Sequence, residues 1–170
     1  MTRLDCGCPE TFPDWDGQDI NLGAWLVHEI GAPMFIHMPI GFEAYLYKQH
    51  KDIEQLGLHP RWPGFVLARS AMFRGAILCP LQEERSPARN VRRLPNPFHL
   101  RACMIHGDVG NIRNEVSRIQ SELLDEGRMP RELFLAYLTC PACKDERGGN
   151  KVLILRHWEE SEKLKKRLKR

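Results

Sequence analysis

No apolar run in this 170-residue sequence approaches the length of about 18 residues that a membrane-spanning helix needs. Its first residues, Met-Thr-Arg-Leu-Asp-Cys, lack the hydrophobic region of a secretory signal, so a cytoplasmic location is the default expectation. A serine signature of the G-x-S-x-G type is missing, and so is a c-type haem attachment motif. The residues before Trp25 are too few and too turn-rich for a helix-turn-helix, which argues against a nucleic-acid partner.

The composition is that of a globular protein, with 42% hydrophobic and 28% charged residues. A chain of this length can bury a core without metals or disulfides. The net charge of +3 is small and unevenly placed, because residues 159–170 are rich in Lys and Arg. We interpret this segment as a solvated basic helical tail, with nucleic-acid or membrane contact as the alternative. The sequence leaves the oligomeric state open.

Short phrases of the sequence occur twice, in the same order and at nearly the same offset. The repeated pairs are Ile36–Gly41 with Ile105–Gly110, Gly57–Arg61 with Gly127–Arg131, and Phe65–Leu67 with Phe134–Ala136. Each match is weak alone, but the shared order predicts an internal duplication of a strand-helix-strand-strand unit. The alternative is that two such units merely coincide in an α+β protein.

Hydrophobic spacing and turn residues predict the same elements in both units. In the first unit they are strands Trp25–Ile30 and Met34–Ile40, a helix Phe42–Leu56, and a hairpin of Gly64–Met72 with Gly75–Leu81. In the second unit they are strand His99–Ile105, a helix Ile112–Leu123 with Asp108 as N-cap, and strands Leu133–Thr139 and Lys151–His157.

These elements predict an α+β domain at residues 25–158, made of repeat one at 25–81, a linker at 82–97 and repeat two at 98–158. An irregular arm at 1–24 precedes it, and the basic tail at 159–170 follows it. With one helix per unit, the halves should join into one curved antiparallel sheet with both helices on one face. The other face would then be concave and free to bind a ligand.

The motifs Ile105-His106-Gly107-Asp108-Val109-Gly110, Gly127-Arg128-Met129-Pro130 and Ile77-Leu78-Cys79-Pro80-Leu81 resemble those of the gyrase-inhibitor-like (GyrI-like) small-molecule-binding family. The resemblance implies a cleft near a pseudo-twofold axis that binds lipophilic molecules. In this family, members serve as drug sensors, as stand-alone binders or as hydrolases of reactive compounds, and haem-binding proteins of the SOUL type share a related fold. The aromatic and histidine candidates for such a cleft are Trp25, Phe35, His37, Phe73, Phe98, His106 and Tyr137.

One departure from the GyrI-like pattern bears on the ligand. Cation-binding members resemble one another in carrying a buried Glu on the closing strand of a repeat, but Gly75–Leu78 and Lys151–Ile154 contain no acid. Burying a cationic ligand without a counter-charge is costly. The prediction is therefore a hydrophobic ligand that is neutral, or anionic and paired with Arg74 or Lys151.

His37 and His106 are equivalent positions of the two repeats. If both faced the cleft, they could flank one ligand or supply two imidazoles to a metal or a haem. The alternative, which we prefer, is that each satisfies backbone groups where a strand meets a helix.

The six cysteines fall into two groups. Cys79 and Cys103 lie in apolar strands, where cysteine is usually an inert small hydrophobe. Cys140 and Cys143 form a C-x-x-C turn that lengthens the second hairpin, and Cys6 with Cys8 could complete a four-thiolate zinc site. A disulfide or a thiol-redox pair is the alternative.

No convincing catalytic set stands out in the sequence, which favours a stand-alone binder of a hydrophobic small molecule over an enzyme. The first alternative is a cleft hydrolase acting on an electrophilic compound, for which Glu29, Glu43 and Glu132 are the available acids near strand ends. The second is a tetrapyrrole binder that uses His37 or His106.

Overall fold

The computed structural model describes residues 4–107 and 109–170, which form an α+β structure with one antiparallel sheet of nine strands and three helices. The strands are β1 Asp19–Asn21, β2 Leu26–Phe35, β3 Met38–Pro39, β4 Leu67–Arg69, β5 Arg74–Pro80, β6 Val91–Arg93, β7 His99–His106, β8 Arg128–Tyr137 and β9 Lys151–Glu160. The helices are α1 Phe42–Gln55, α2 Ile112–Asp125 and α3 Glu162–Leu168. In the described ranges, no helix is both long and apolar enough to span a membrane.

The sheet has the strand order β1-β7-β9-β8-β4-β5-β2-β3, and β6 pairs with the outer side of β2. The strands β2, β4 and β5 form one half of the sheet, and β7, β8 and β9 form the other. The halves meet where Ala68 of β4 pairs with Leu135 of β8. In both halves, the strand that precedes the helix lies farthest from this junction.

Both predicted long helices form, and each buries part of its apolar stripe, although Leu56 at the end of the first stripe is exposed. Ile53 of α1 packs with Leu26 and Leu81, while Ile119 and Leu123 of α2 belong to a separate core cluster. Both helices are amphipathic and end just before a glycine with positive φ, at positions 57 and 127. The predicted N-cap Asp108 lies outside the described residues.

The sequence predicted the strands Trp25–Ile30 and Met34–Ile40, but the structure has one long strand, β2, which then turns at Ile36 and His37 into the short strand β3. The Pro33 position explains how the strand continues. The N–H of Met34 donates to the backbone oxygen of Phe73 beside it, so the nitrogen of Pro33 points to the outer side of β2. On that side the N–H of Ile40 donates to the oxygen of Pro33 at 3.0 Å, so the proline removes one donor from this edge pairing without ending the strand, which continues to Phe35.

The face of the sheet opposite the helices is covered, which corrects the predicted open cleft. Two segments lie on it, joined by hydrogen bonds from the N–H of Leu22 to the oxygen of Phe98 and from the N–H of Ala24 to the oxygen of Leu94. Leu22, Leu94 and Phe98 are buried in the largest core cluster, together with inward side chains of β2, β4, β5, β7, β8 and β9. Trp15, Trp25 and Trp62 pack against the same cluster. The space predicted for a ligand is therefore filled by the chain's own apolar residues.

A buried polar network fastens α1 to the sheet. His28 on β2 is fully buried, and its Nε2 lies 2.7 Å from Oδ2 of Asp52 on α1. The side-chain amide of Gln49 donates to the backbone oxygens of His28 and Ile77, both at 3.0 Å. The hydrogen bond from His28 holds the pKa of Asp52 below its usual value. Since both ring nitrogens of His28 have partners, this histidine is structural.

We expect Gln49→Leu to lower the free energy of unfolding by about 1–3 kcal/mol, because it leaves buried acceptors without a donor. Urea unfolding measures the change. Gln55→Leu is the matched control, since Gln55 is exposed at the end of the same helix. Equal stability of the two variants would show that the network does not hold α1 in place.

Candidate functional site

Four cysteines from distant parts of the sequence converge at one end of the sheet. The Sγ atoms of Cys6, Cys8, Cys140 and Cys143 all lie within 4.8 Å of one another. The Sγ atoms of Cys140 and Cys143 are 3.9 Å apart, close to the spacing of about 3.8 Å between two thiolates on one tetrahedral zinc ion. All four are free thiols in this structure. The predicted convergence is confirmed, and the group could hold a metal.

Local backbone structure brings the two cysteine pairs together. The C-x-x-C segment is a tight turn, in which the N–H groups of Cys143 and Lys144 donate to the backbone oxygen of Cys140 at 3.1 and 2.9 Å. On the other side, the arm carrying Cys6 and Cys8 lies against Gly64, where an added Cβ would be 2.8 Å from the oxygen of Gly7. A glycine is needed at position 64 for this close approach, and its φ is positive as well.

Arg147 ties the arm to the turn that carries the second cysteine pair. Its guanidinium donates to the backbone oxygen of Pro9 at 2.6 Å and to that of Glu10 at 3.3 Å. It also reaches the oxygen of Leu138 at 3.4 Å, where β8 has just ended. The positive charge lies on the loop that contains Cys140 and Cys143, which favours an anionic thiolate cluster there.

The thiols differ in how easily they ionise. Burial alone would raise the pKa of Cys140, but the N–H groups of Ala142 and Cys143, with the thiols of Cys8 and Cys6, lower it to about 7. Burial and the neighbouring thiols raise the pKa of Cys8 well above its usual value. Because one thiolate is available near neutral pH, the group can begin to bind a metal that then displaces the other protons.

The remaining cysteines are not part of this group. Cys79 is buried in β5, and burial raises the pKa of its thiol to about 12. Cys103 is half-buried on β7, where burial and then the charge of Glu115 raise its pKa. A raised thiol pKa means little thiolate and low reactivity, in line with the prediction that both are inert.

A serine and a histidine meet at the opposite end of the sheet. Oγ of Ser70 lies 3.0 Å from Nδ1 of His37, within hydrogen-bond distance. Ser70 directly follows β4, and its N–H donates to the oxygen of Leu133 on β8 at 2.8 Å. This hydrogen bond fixes the serine backbone on the central strands. The N–H of Ala71, the next residue, donates only to the weak acceptor Sδ of Met34 at 3.4 Å.

The turn that holds His37 has a strained backbone. Phe35 of β2 pairs with Met38 of β3, so Ile36 and His37 form a two-residue hairpin loop. Both have positive φ, 48° for Ile36 and 66° for His37, as in the type I′ turn that usually contains Asn-Gly. A β-branched residue in this region is an outlier, and such strain costs roughly 1–3 kcal/mol per residue. Strain of this kind concentrates at functional sites.

Large exposed apolar side chains surround the serine and the histidine. Five of them are half or more exposed, and we call them the apolar tip: Phe35, Ile36, Met38, Met72 and Phe73. The N–H of Ile36 donates to the oxygen of Met72, so the two loops that form the tip are hydrogen-bonded to each other. Three of the predicted ligand-binding residues, Phe35, His37 and Phe73, therefore lie together at this end.

The other predicted ligand-binding residues lie elsewhere. The indole of Trp25 stacks under Arg61, with the guanidinium carbon 3.9 Å from the ring centroid. Phe98 stacks on the ring of His157, and Tyr137 packs edge-on against Phe42 of α1. Phe98 is buried, whereas Trp25 and Tyr137 are half-buried and pack against different core clusters, so the three do not line a common cleft.

His37 and His106 do not meet, and the strand directions give the reason. The strands β2 and β7 are antiparallel within the sheet, as the pairing through β5, β4, β8 and β9 requires. The loop with His37 follows the end of β2, whereas His106 ends β7 opposite Lys151. Equivalent positions of the two units thus lie at opposite ends of the sheet, so the two imidazoles cannot flank one ligand or one haem.

The three acids suggested for hydrolysis are separate. Glu43 is exposed in the first turn of α1. Glu29 forms ion pairs with Arg92 and, at 3.5 Å, with Arg69. Oε2 of Glu132 lies 2.6 Å from Nδ1 of His157.

The Glu132 and His157 pair is a second possible acid-base element. Burial would raise the pKa of Glu132, but its hydrogen bond with His157 brings that pKa below the usual value. The imidazole is only 10% exposed and has Phe98 stacked on its ring at 4.2 Å. Substrate access to this ring is therefore much poorer than access to His37.

A serine beside an imidazole, on strained backbone and within an exposed apolar rim, has the parts of a hydrolytic site. The family model described as Bacterial hydrolase matches residues 2–158, so the chain belongs to that family. Comparisons with curated proteins and with solved structures find no match.

The family match corrects two interpretations of the sequence. The resemblance to the GyrI-like family is wrong, because the matching family is one of hydrolases. The stand-alone small-molecule binder, which depended on that resemblance, is wrong for the same reason, and the cleft hydrolase that was its alternative is the better supported. The short repeated phrases reflect a strand-helix-strand-strand layout that unrelated families can share.

Ser70 is the functional candidate that the sequence did not reveal. It lies in an ordinary Arg-Ser-Ala segment, without the flanking glycines of a nucleophile elbow. Its partner is 33 positions away. The pairing of β5 with β2 and β4, together with the turn at Ile36 and His37, brings them together, and no local motif records this arrangement.

Proposed function

We propose that this protein hydrolyses carboxylic esters with an apolar acyl or aryl part, with Ser70 as the nucleophile and His37 as the base. The observation that carries the proposal is the 3.0 Å distance between Oγ of Ser70 and Nδ1 of His37 on strained backbone. Membership in a hydrolase family supports the reaction class. The apolar tip supports the choice of an apolar substrate.

The reaction follows from the positions of the two side chains. Oγ of Ser70 attacks the ester carbonyl carbon while its proton passes to Nδ1 of His37. The alcohol leaves with that proton when the C–O bond breaks, and an acyl-serine ester remains. Water then attacks this ester, His37 accepts the water proton and returns it to Oγ, and the acid is released. The N–H of Ala71 is the best-placed donor for the oxyanion, because its present acceptor is only a thioether.

Covalent labelling and turnover together test the nucleophile. A fluorophosphonate probe is expected to label the wild-type protein on Ser70, and a short-chain p-nitrophenyl ester to be hydrolysed. We expect Ser70→Ala to abolish the label and lower kcat/KM at least about 1000-fold. Ser121→Ala is the control, since Ser121 is exposed on α2. Labelling at another residue would exclude Ser70 as the nucleophile. Full activity of Ser70→Ala, with loss of activity in His157→Gln, would move the site to the Glu132 and His157 pair.

We further propose that the four cysteines hold a structural zinc ion. Four thiolates, whose Sγ atoms lie within 4.8 Å of one another, would fill the coordination shell of zinc and leave no open position for a substrate. The metal would bind the N-terminal arm to the loop between β8 and β9. It would supply no chemistry to Ser70, which lies at the other end of the sheet.

The internal duplication and a cytoplasmic location remain proposals. In support of the duplication, the order β2-β5-β4 in one half mirrors β7-β9-β8 in the other. Both helices follow the outermost of these three strands and lie over their own half.

A further inference from the structure

The apolar tip is an unusual surface for a protein in water. Its five side chains belong to two neighbouring loops at one end of the sheet, and each is half or more exposed. Contiguous exposed apolar side chains of this size usually mark a binding surface. The substrate of a single active site would contact only a few of them.

A second unusual surface is the basic helix α3. Lys163, Lys166 and Arg167 of this helix and Arg170 just beyond its end line one shallow depression, and we call these four residues the basic face. Among the described residues, none of the four has an ion-pair partner. The nearby carboxylates of Glu160 and Glu162 pair with Lys165. Four cations without ion-pair partners, side by side on the surface, create a positive surface potential.

The apolar tip and the basic face lie at the same end of the molecule. At this end β2 ends and β5 begins, as the pairing of Pro33 with Arg74 shows. β8 begins and β9 finishes at the same end, where Arg128 pairs with Glu160, and α3 follows directly. β5 and β9 are separated by β4 and β8, so the two surfaces are about three strand spacings apart, or roughly 15 Å.

We propose that this end of the protein docks on an anionic lipid bilayer. Apolar side chains that enter the interface and cations that meet anionic headgroups act together in peripheral membrane binding. A nucleic acid would be matched by the basic face but not by the apolar tip. Ser70 and His37 would then face the lipid surface, and the substrate would be an ester dissolved in the bilayer. Only the nature of the substrate rests on the proposed function.

Vesicle co-sedimentation tests the docking surface. The full protein is mixed with vesicles of phosphatidylcholine, or of phosphatidylcholine with phosphatidylglycerol, and we expect binding to the anionic vesicles only. Lys163→Glu with Lys166→Glu should weaken this binding at least about tenfold. Phe35→Ser with Phe73→Ser should weaken it about tenfold as well. Added salt should lower the binding of the wild-type protein.

Matched controls separate the docking surface from general charge and hydrophobicity. Arg85→Glu with Arg89→Glu changes the net charge equally in an exposed segment before β6 and should leave binding unchanged. Tyr47→Ser with Leu56→Ser removes exposed apolar groups from α1 and its C-terminal end and should also bind normally. Ser70→Ala should bind as the wild-type protein does, so loss of the esterase proposal would leave this result intact.

Three results would overturn the proposal. One is equal sedimentation with neutral and anionic vesicles, and another is equal loss in the surface variants and their controls. The third is tight binding of duplex DNA that depends on Lys163 and Lys166 but not on Phe35 or Phe73, which would make the basic face a nucleic-acid site instead.

Discussion

Removing a zinc ion bound by the four cysteines is expected to destabilise this protein about as much as truncating a large side chain in its core. A chain purified with zinc and then treated with a strong chelator should lose about 4 kcal/mol of unfolding free energy, the value for a ligand at a thousandfold excess over its Kd. For a protein of this size that corresponds to a fall in Tm of about 10 °C. Differential scanning calorimetry with and without the chelator measures the change, and elemental analysis gives the zinc content.

The cysteine variants make the metal prediction specific. Cys140→Ser with Cys143→Ser should purify without zinc and show the lowered Tm with no further response to the chelator. Cys103→Ser is the matched control, because Cys103 is half-buried outside the four-cysteine group and should keep the zinc. Native protein without zinc, or zinc retained in the double variant, would remove the metal site. A mass change on reduction would instead support the disulfide alternative.

The second large effect is expected at His37, where activity and stability should move in opposite directions. Asn tolerates positive φ far better than His does, so His37→Asn relaxes the turn while it removes the base. We expect kcat/KM for the p-nitrophenyl ester to fall by a factor of about 100 to 10,000. The free energy of unfolding should rise by about 1 kcal/mol.

A purely structural role for His37 predicts a different pattern. In that case His37→Asn would lose stability together with its hydrogen bond to Ser70, and activity would follow the folded fraction. His106→Asn is the control, as His106 is exposed at the end of β7 and far from Ser70. Unchanged activity in His37→Asn would exclude this histidine as the base.

Much of the fold could be predicted because its signals are local. The 3.6-residue spacing of Ile112, Val116, Ile119 and Leu123 is enough to predict α2, and Gly127 predicts its end. The α+β class and the single antiparallel sheet, both predicted, are confirmed. The covered face could not be predicted, since the path of the segments around Leu22 and Leu94 depends on packing against the finished sheet.

The two candidate sites differ in whether a local sequence motif predicts them. The spacing of Cys140 and Cys143 in one turn is a local motif, and the prediction that Cys6 and Cys8 meet them is confirmed. Ser70 and His37 belong to no local sequence motif, because they are brought together by a loop conformation that the sequence does not predict. A conformation with positive φ at Ile36 is one that propensity alone would reject.

The position of β9 has a consequence for synthesis on the ribosome. β9 is made after β7 and β8, yet it lies between them in the sheet. Until residue 160 has emerged, β7 and β8 each present an unpaired edge, and the core lacks Leu153 and Leu155. The nascent chain therefore carries two strands with unpaired edges until β9 emerges, and exposed strand edges at this stage favour aggregation.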